Sequence, residues 1–395
     1  KRPYRLAIVQ LATYDGFIAD AKYIITKLRT LCDYILFDSA WTGYEQFLSL
    51  TENLSPLTLA LTDKDPGLLV TQSVHKQLAG FSQTSQILKK DSHLRGKKRY
   101  LPDDVLDNAF LMNISTSPYF PFFSALEMNA FLHRKYGQVL WQDAARFAVE
   151  LRKKILTTCR SVAPLLPRII DGRLWETYST EEILSAPRFW QYGESENEKE
   201  HFSHTQIDPC KILLTTNRKG RPYPAMLLSL YLQERNITPE KCGLHTLLFL
   251  IQPGDREEKA EALVSALTEF ENNAWHRPVS EILPKLVGDY DMTVAELGSK
   301  IENFLAVENA DRLENNIFTL RRRKMTCSGR KATEAFIKGN RKRLPLSRLK
   351  GKTALECAMI YPPGICAVTA GEKWTQNDIS YFLFIEKYMN QYPDF

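Results

Sequence analysis

Short apolar runs alternate with segments of helical spacing at the start of the chain. Leu6–Leu11 (LAIVQL) and Tyr34–Phe37 (YILF) are two such runs, and Phe17–Leu31 between them carries apolar residues at helical intervals. A third run, Leu68–Thr71, follows the turn signal Asp65-Pro66-Gly67. Continuous rather than alternating apolar runs suit strands buried on both faces. The pattern therefore predicts β-α-β units and a parallel sheet covered by helices. Open sheets of this kind bind ligands just beyond the carboxyl ends of their strands. Asp38 follows the second run there, and Ser73, His75 and Lys76 follow the third.

Downstream, Lys89–Arg99 (KKDSHLRGKKR) reads as a solvated loop. Helical spacing resumes over Pro121–Tyr136 and again over Trp141–Cys159. Gly193–His201 (GESENEKEH) reads as an acidic surface loop. A second α/β unit is expected from strand Cys210–Thr216, helix Pro224–Asn236, strand Thr246–Gln252 and helix Arg256–Asn272. Beyond Asn273 come short helices and loops, two basic runs (Arg321–Lys324 and Arg341–Arg343), a turn at Tyr361–Gly364 and the amphipathic segment Ile379–Met389. This organisation divides the chain into residues 1–132, 133–275 and 276–395.

Composition narrows the function. Of 395 residues, 44% are hydrophobic and 25% charged, ordinary proportions for a globular protein. A formal charge of +6 is mild at this length, so a nucleic-acid partner is not expected and the basic runs read as solvated faces. No apolar run approaches the ~20 residues that span a bilayer, and no membrane association is expected. The seven cysteines are scattered without C-x-x-C pairs, which disfavours a disulfide scaffold or a zinc site and fits a reducing cytoplasm. G-x-G-x-x-G, G-x-x-x-x-G-K-[ST] and H-E-x-x-H are absent, so a dinucleotide, a nucleoside triphosphate and a catalytic metal are unsupported.

What remains is a strand-end aspartate and a strand-end lysine. That pair suits pyridoxal phosphate, which needs a lysine to hold it covalently and an aspartate to keep its pyridine nitrogen protonated. Each residue also has a plainer reading. Asp38 could cap a helix, Ser73 and His75 could shape a turn, and Ser117 could precede Pro118 as an N-cap. Trp41 could be core, and Glu240 could be a solvated loop residue.

Longer stretches carry a resemblance. Asp38–Phe47 (DSAWTGYEQF) and Val70–Ile87 (VTQSVHKQLAGFSQTSQI) resemble the bacterial-type ornithine decarboxylases, within the fold type I pyridoxal-phosphate family that includes the lysine and arginine decarboxylases. Lys89–Gly96 (KKDSHLRG), Ser115–Pro118 (STSP), Asp208–Thr216 (DPCKILLTT), Pro239–Cys242 (PEKC) and Tyr361–Gly364 (YPPG) follow in the same order. The resemblance implies an α/β fold: the second half of an aspartate-aminotransferase-like cofactor domain, then a smaller α/β substrate-specificity domain and a C-terminal α+β domain. It implies that Lys76 carries the cofactor, Asp38 pairs with the pyridine nitrogen and Trp41 packs beside the ring. Ser73 and His75 would meet the phosphate end, and Ser117 the phosphate of a neighbouring subunit. Glu240 would receive the distal ammonium of the substrate.

The implied reaction is decarboxylation of L-ornithine to putrescine and carbon dioxide by a homodimer with a shared site, or a higher oligomer. Lysine or arginine is the less favoured substrate. Family members carry an N-terminal wing and the first half of the cofactor domain ahead of this point. The expectation is therefore that the chain opens in mid-domain and is inactive alone. Shortened stretches before Asp208 and at Asn217–Arg221 motivate an alternative, a non-catalytic paralogue that serves a full-length decarboxylase as partner or regulator.

Overall fold

A computed structural model describes residues 2–114, 117–193, 196–217, 222–286, 288, 290–318, 324–361 and 364–395. It divides into two compact units: Lys1–Thr215 with Leu248–Ser265, and Thr216–Leu247 with Ala266–Phe395.

The first unit opens with β1 (Tyr4–Gln10), β2 (Phe17–Ala19), helix α1 (Ala21–Leu28) and β3 (Cys32–Asp38). Next come β4 (Gly67–Gln72), β5 (Gln86–Lys90), α2 (Asp103–Leu111) and α3 (Phe120–Thr158). The strands form one sheet in the order β1-β3-β4-β5. The first three run parallel, as the apolar runs predict, and β5 is antiparallel to β4. No helix crosses over between β4 and β5, and a chain that returns without a crossover pairs antiparallel.

One face of the sheet, with Ile35, Phe37, Leu68 and Val70, packs on Ala21 and Ile25 of α1. The other buries Tyr34, Leu69 and Leu94 beneath Tyr100, Leu101 and Leu106. Successive strand side chains point to opposite faces. On β1 this leaves Ala7 and Val9 packed inward while Tyr4, Leu6 and Ile8 stand exposed on the opposite face.

Three local expectations are corrected. Phe17–Leu31 is not one helix. Phe17–Ala19 pairs antiparallel with β7 (Thr205–Ile207), following the short strand β6 (Ala163–Pro164), and α1 starts only where the Asp20 side chain accepts from the Tyr23 N–H at 3.0 Å. Lys89–Arg99 is not a solvated loop. Lys89 belongs to β5 and pairs with Asp91 at 3.0 Å and Asp103 at 2.5 Å, while Leu94 is fully buried. Gly193–His201 is not wholly loop, since Glu196–His201 is helical and the following Phe202 stacks on Phe17 at 5.6 Å. The two helical stretches beyond Pro121 join into the single 39-residue α3.

After β7 the first unit continues into β8 (Lys211–Thr215), antiparallel to β6. In the second unit, Val294–Glu308 starts at a Thr293/Glu296 capping box and Gln376–Gln391 at a Thr375/Asp378 box, each satisfying orphan N–H groups at the helix start. Phe304, Phe384, Tyr388 and Tyr392 pack together along these helices. Of the segments singled out from sequence, Ser115, Thr116, Glu194, Ser195, Arg218–Arg221, Arg321–Arg323, Pro362 and Pro363 lie outside the described residues. Arg341, Lys342 and Arg343 are exposed, as a solvated face requires.

Candidate active site

Asp38 ends β3, in register with Gln10 of β1 and Thr71 of β4. Its carboxylate accepts from the Ala40 N–H at 3.0 Å and is otherwise exposed. The chain then turns sharply: the Ser39 N–H donates to the Thr71 carbonyl at 2.9 Å, which ties the ends of β3 and β4 together.

Beyond β4 the backbone winds through tight turns. The Lys76 N–H donates to the Ser73 carbonyl at 3.1 Å, and the Gly80 N–H to the Val74 carbonyl at 2.8 Å. His75 is fixed twice on Thr84, whose carbonyl accepts from the His75 backbone N–H at 3.1 Å and from ring Nδ1 at 2.7 Å. A carbonyl can only accept, so Nδ1 carries the proton and Nε2 is left as an acceptor unless the ring is doubly protonated. The Lys76 Nζ lies 3.9 Å from the centroid of the Trp41 indole, a cation–π distance. Trp41 is itself held edge-on against Tyr14, with centroids 4.4 Å apart and planes at 85°.

Asp38, Trp41, Ser73, His75 and Lys76 therefore share the carboxyl edge of β3 and β4. Ser117 is exposed on the stretch between α2 and α3. Glu240 is an exposed residue of the second unit, next to the short strand Lys241–Cys242.

Beneath the edge lies a buried polar network that sequence reasoning did not assign. The Tyr44 hydroxyl donates to Asp208 Oδ2 at 2.5 Å, and the Cys210 N–H donates to Oδ1 at 2.9 Å. Lys211 Nζ sits 3.8 Å from Asp208 and donates to the Trp41 carbonyl at 3.0 Å. The Arg152 guanidinium donates to the carbonyls of Pro209 and Lys211, both at 2.6 Å. All four side chains are almost wholly buried. Burial pushes the Tyr44 phenol well up, reinforced by Asp208, and pulls the Lys211 amine and the Arg152 guanidinium down.

A signal for part of this network was present. Ala145, Ala148, Arg152 and Ile155 recur at helical spacing, which sets Arg152 on an apolar face. Lys211 likewise heads the apolar strand KILLT.

The same face of α3 supports Tyr44 from behind. Tyr44 stacks on Trp141 with centroids 4.0 Å apart, and Trp141 Nε1–H donates to His133 Nε2 at 3.0 Å. His133 Nδ1 in turn meets the Asn129 carbonyl at 3.0 Å. Burial lowers the His133 pKa below its ordinary 6.5, which agrees with a neutral ring that both donates and accepts. Among the described residues, the buried Ser39 Oγ, Gln72 Nε2 and Gln77 Nε2 near this edge have no hydrogen-bond partner.

Comparison with known proteins bears on this arrangement. Residues 1–259 match the family model described as Orn/Lys/Arg decarboxylase, major domain, and residues 311–395 match Orn/Lys/Arg decarboxylase, C-terminal domain. The chain is 40% identical over 414 residues to the inducible ornithine decarboxylase of Escherichia coli (strain K12), covering 100% of this chain and 57% of that protein. It is 38% identical over 419 residues to the ornithine decarboxylase of Haemophilus influenzae, covering 100% and 58%. Against the constitutive lysine decarboxylase of Escherichia coli (strain K12) the identity is 26%, over 98% of this chain and 55% of that protein. Among solved structures, lysine decarboxylase A from Pseudomonas aeruginosa superposes with a TM-score of 0.85 at 24% identity, covering 100% of this chain and 55% of that one. The chain thus spans little more than half the length of the relatives it matches.

Proposed function

The chain belongs to the Orn/Lys/Arg decarboxylase family, and from that premise we propose that it carries the lysine-bearing part of a pyridoxal 5′-phosphate-dependent L-ornithine decarboxylase. The observation that carries this reading is the Lys76 amine held over Trp41 at the sheet edge where Asp38 ends β3. Ornithine is favoured over lysine because the relatives named for ornithine are markedly more similar across the whole chain.

The residues present fit the cofactor. A partly exposed amine, a carboxylate on the adjoining strand end and buried polar atoms without partners offer covalent attachment, a charge for a pyridinium and hydrogen-bonding capacity. Lys76 would hold the cofactor and Asp38 its pyridinium proton. Ser73 and His75 would bind the phosphate, and Trp41 would support the ring. When bound, pyridoxal phosphate supplies the electron sink for the pair left when the α-carboxylate departs. Asp38 keeps the proton on the nitrogen by ionic pairing, since an opposite charge a few ångströms away favours the charged form. Ser117 of a second copy would complete the phosphate site, and Glu240 would receive the distal ammonium of the substrate.

Exposed apolar side chains on and beside α2 and α3 (Phe110, Leu111, Met112, Phe120, Phe123, Met128) support a homodimer, because so many large apolar side chains left exposed along one stretch of chain favour a partner. The division into 1–132, 133–275 and 276–395 as cofactor, specificity and C-terminal parts belongs to the same proposal. So does residence in a reducing cytoplasm, supported by seven cysteines that are all free.

Borohydride reduction in the presence of pyridoxal phosphate, followed by peptide mapping, tests the reading. The label is expected on Lys76, and a label on any other lysine refutes it. Asp38→Asn is expected to keep the label while lowering ornithine turnover by orders of magnitude. Turnover near the parent level would show that Asp38 does not hold the pyridinium. A chain that takes the label on Lys76 but releases no putrescine when supplied with the N-terminal half of an ornithine decarboxylase would favour the non-catalytic paralogue.

A further inference from the structure

Lys211 is a second amine beside the Trp41 indole. Its Nζ lies 5.5 Å from the ring centroid that Lys76 Nζ approaches at 3.9 Å, so the two amines stand no further apart than those distances combined. Lys211 is fully buried, donates to the Trp41 carbonyl at 3.0 Å and is 3.8 Å from Asp208. The fold makes room for it at Gly16 (φ +97°), where a Cβ would fall 2.9 Å from the Lys211 Cβ.

We propose that Lys211 is a positioning residue for Lys76: it braces the Trp41 platform and sets a second positive charge beside the Lys76 amine, so that this amine loses its proton more readily. A buried cation has few reasons to sit beside another, and here it could have been replaced by an apolar side chain reaching the same space. Like charges at such distances disfavour the charged form, and a lysine next to another cation is a known way to obtain a neutral, nucleophilic amine.

The charged and titratable groups around Lys211 are Asp208 and Cys210 on its own approach, Asp15 after β1, Lys76 after β4 and Arg152 on α3, with Tyr44 reaching it through Asp208. Asp208 is shared between Tyr44 and Lys211. It offsets the cost of burying Lys211.

The inference deepens the proposed cofactor role of Lys76, and its test is independent of the cofactor. The full chain, freed of bound pyridoxal phosphate with hydroxylamine, is acetylated competitively with trace acetic anhydride across a pH series, and Lys76 is followed by peptide mass spectrometry. In that reaction the neutral amine attacks a carbonyl carbon, acetate leaves and the amine proton passes to solvent, so the labelling midpoint reports the Lys76 pKa. Lys211→Met is expected to raise the midpoint by about one pH unit, while Lys211→Arg leaves it where it was. Should the methionine variant fail to fold, Lys211→Gln keeps a donor for the Trp41 carbonyl without the charge and carries the same expectation. An unchanged midpoint in the uncharged variants overturns the proposal. A shift in the arginine variant equal to that of methionine overturns it too, since packing rather than charge would then be responsible. Cofactor mapping to another lysine would refute the function proposed above and leave this result standing.

Discussion

Tyr44→Phe removes one oxygen from a fully buried position and keeps the ring stack on Trp141. The lost hydroxyl donates to Asp208 Oδ2 at 2.5 Å. Burial and the carboxylate hold this phenol well above its ordinary pKa, so it is the protonated donor at neutral pH. A hydrogen bond to a charged acceptor contributes about 1.5–3 kcal/mol, and more is lost when the acceptor is left bare. Asp208 is not left bare, because the Cys210 N–H at 2.9 Å and the Lys211 ammonium at 3.8 Å remain. The expected cost is therefore about 2 kcal/mol. Asp208→Asn should cost more, about 3–5 kcal/mol, because it strands a buried ammonium. The double variant should fall short of the summed single costs by about 1–2 kcal/mol, the coupling expected of groups in one network. Urea unfolding followed by tryptophan fluorescence measures all three, with a midpoint shift at unchanged slope reading as stability. A Tyr44→Phe cost below about 0.5 kcal/mol, the range of an ordinary surface change, would refute the reasoning, as would additivity in the double variant.

Three further predictions rest on exposure and charge. Ile8 is 72% exposed on the edge strand β1 beside Leu6 and Tyr4. Ile8→Lys should reduce self-association in light scattering at almost unchanged melting temperature, because charges on an exposed edge oppose strand pairing; undiminished association would show that the edge is not what drives it. His245 Nε2–H donates to Glu302 Oε1 at 3.0 Å, and that hydrogen bond raises its pKa above the ordinary 6.5. Its contribution to the second unit is thus fully present below pH 6.5 and lost as pH rises through the raised folded value. His133 works in reverse: its folded pKa is lowered, so its contribution is present above 6.5 and lost as pH falls through the lowered value. Urea midpoints across pH should lose the first dependence in His245→Gln and the second in His133→Gln, and dependences that persist would contradict these assignments.

The local pattern was sufficient for β1, β3 and β4. Strands covered on both faces need continuous apolar runs, and YILF and LLVT are such runs, whereas β1 (LAIVQL) is as apolar but covered on one face only, with Leu6 and Ile8 exposed on the other. It was also sufficient to set Asp38 and Lys76 at strand ends, and the wording around Lys76 carried the family. Where local pattern failed, the deciding partner was distant. Phe17–Ala19 is a strand because Thr205–Ile207 pairs with it, and Lys89 is held inside by Asp91 and Asp103. The support under Trp41 is the clearest case. Tyr44 and Asp208 are 164 residues apart, and Lys211 and Trp41 are 170 apart. Periodicity reports how a residue's own neighbours are buried. A buried charge is stabilised only by particular oppositely charged or hydrogen-bonding atoms, and which atoms those are is decided when the chain closes on itself.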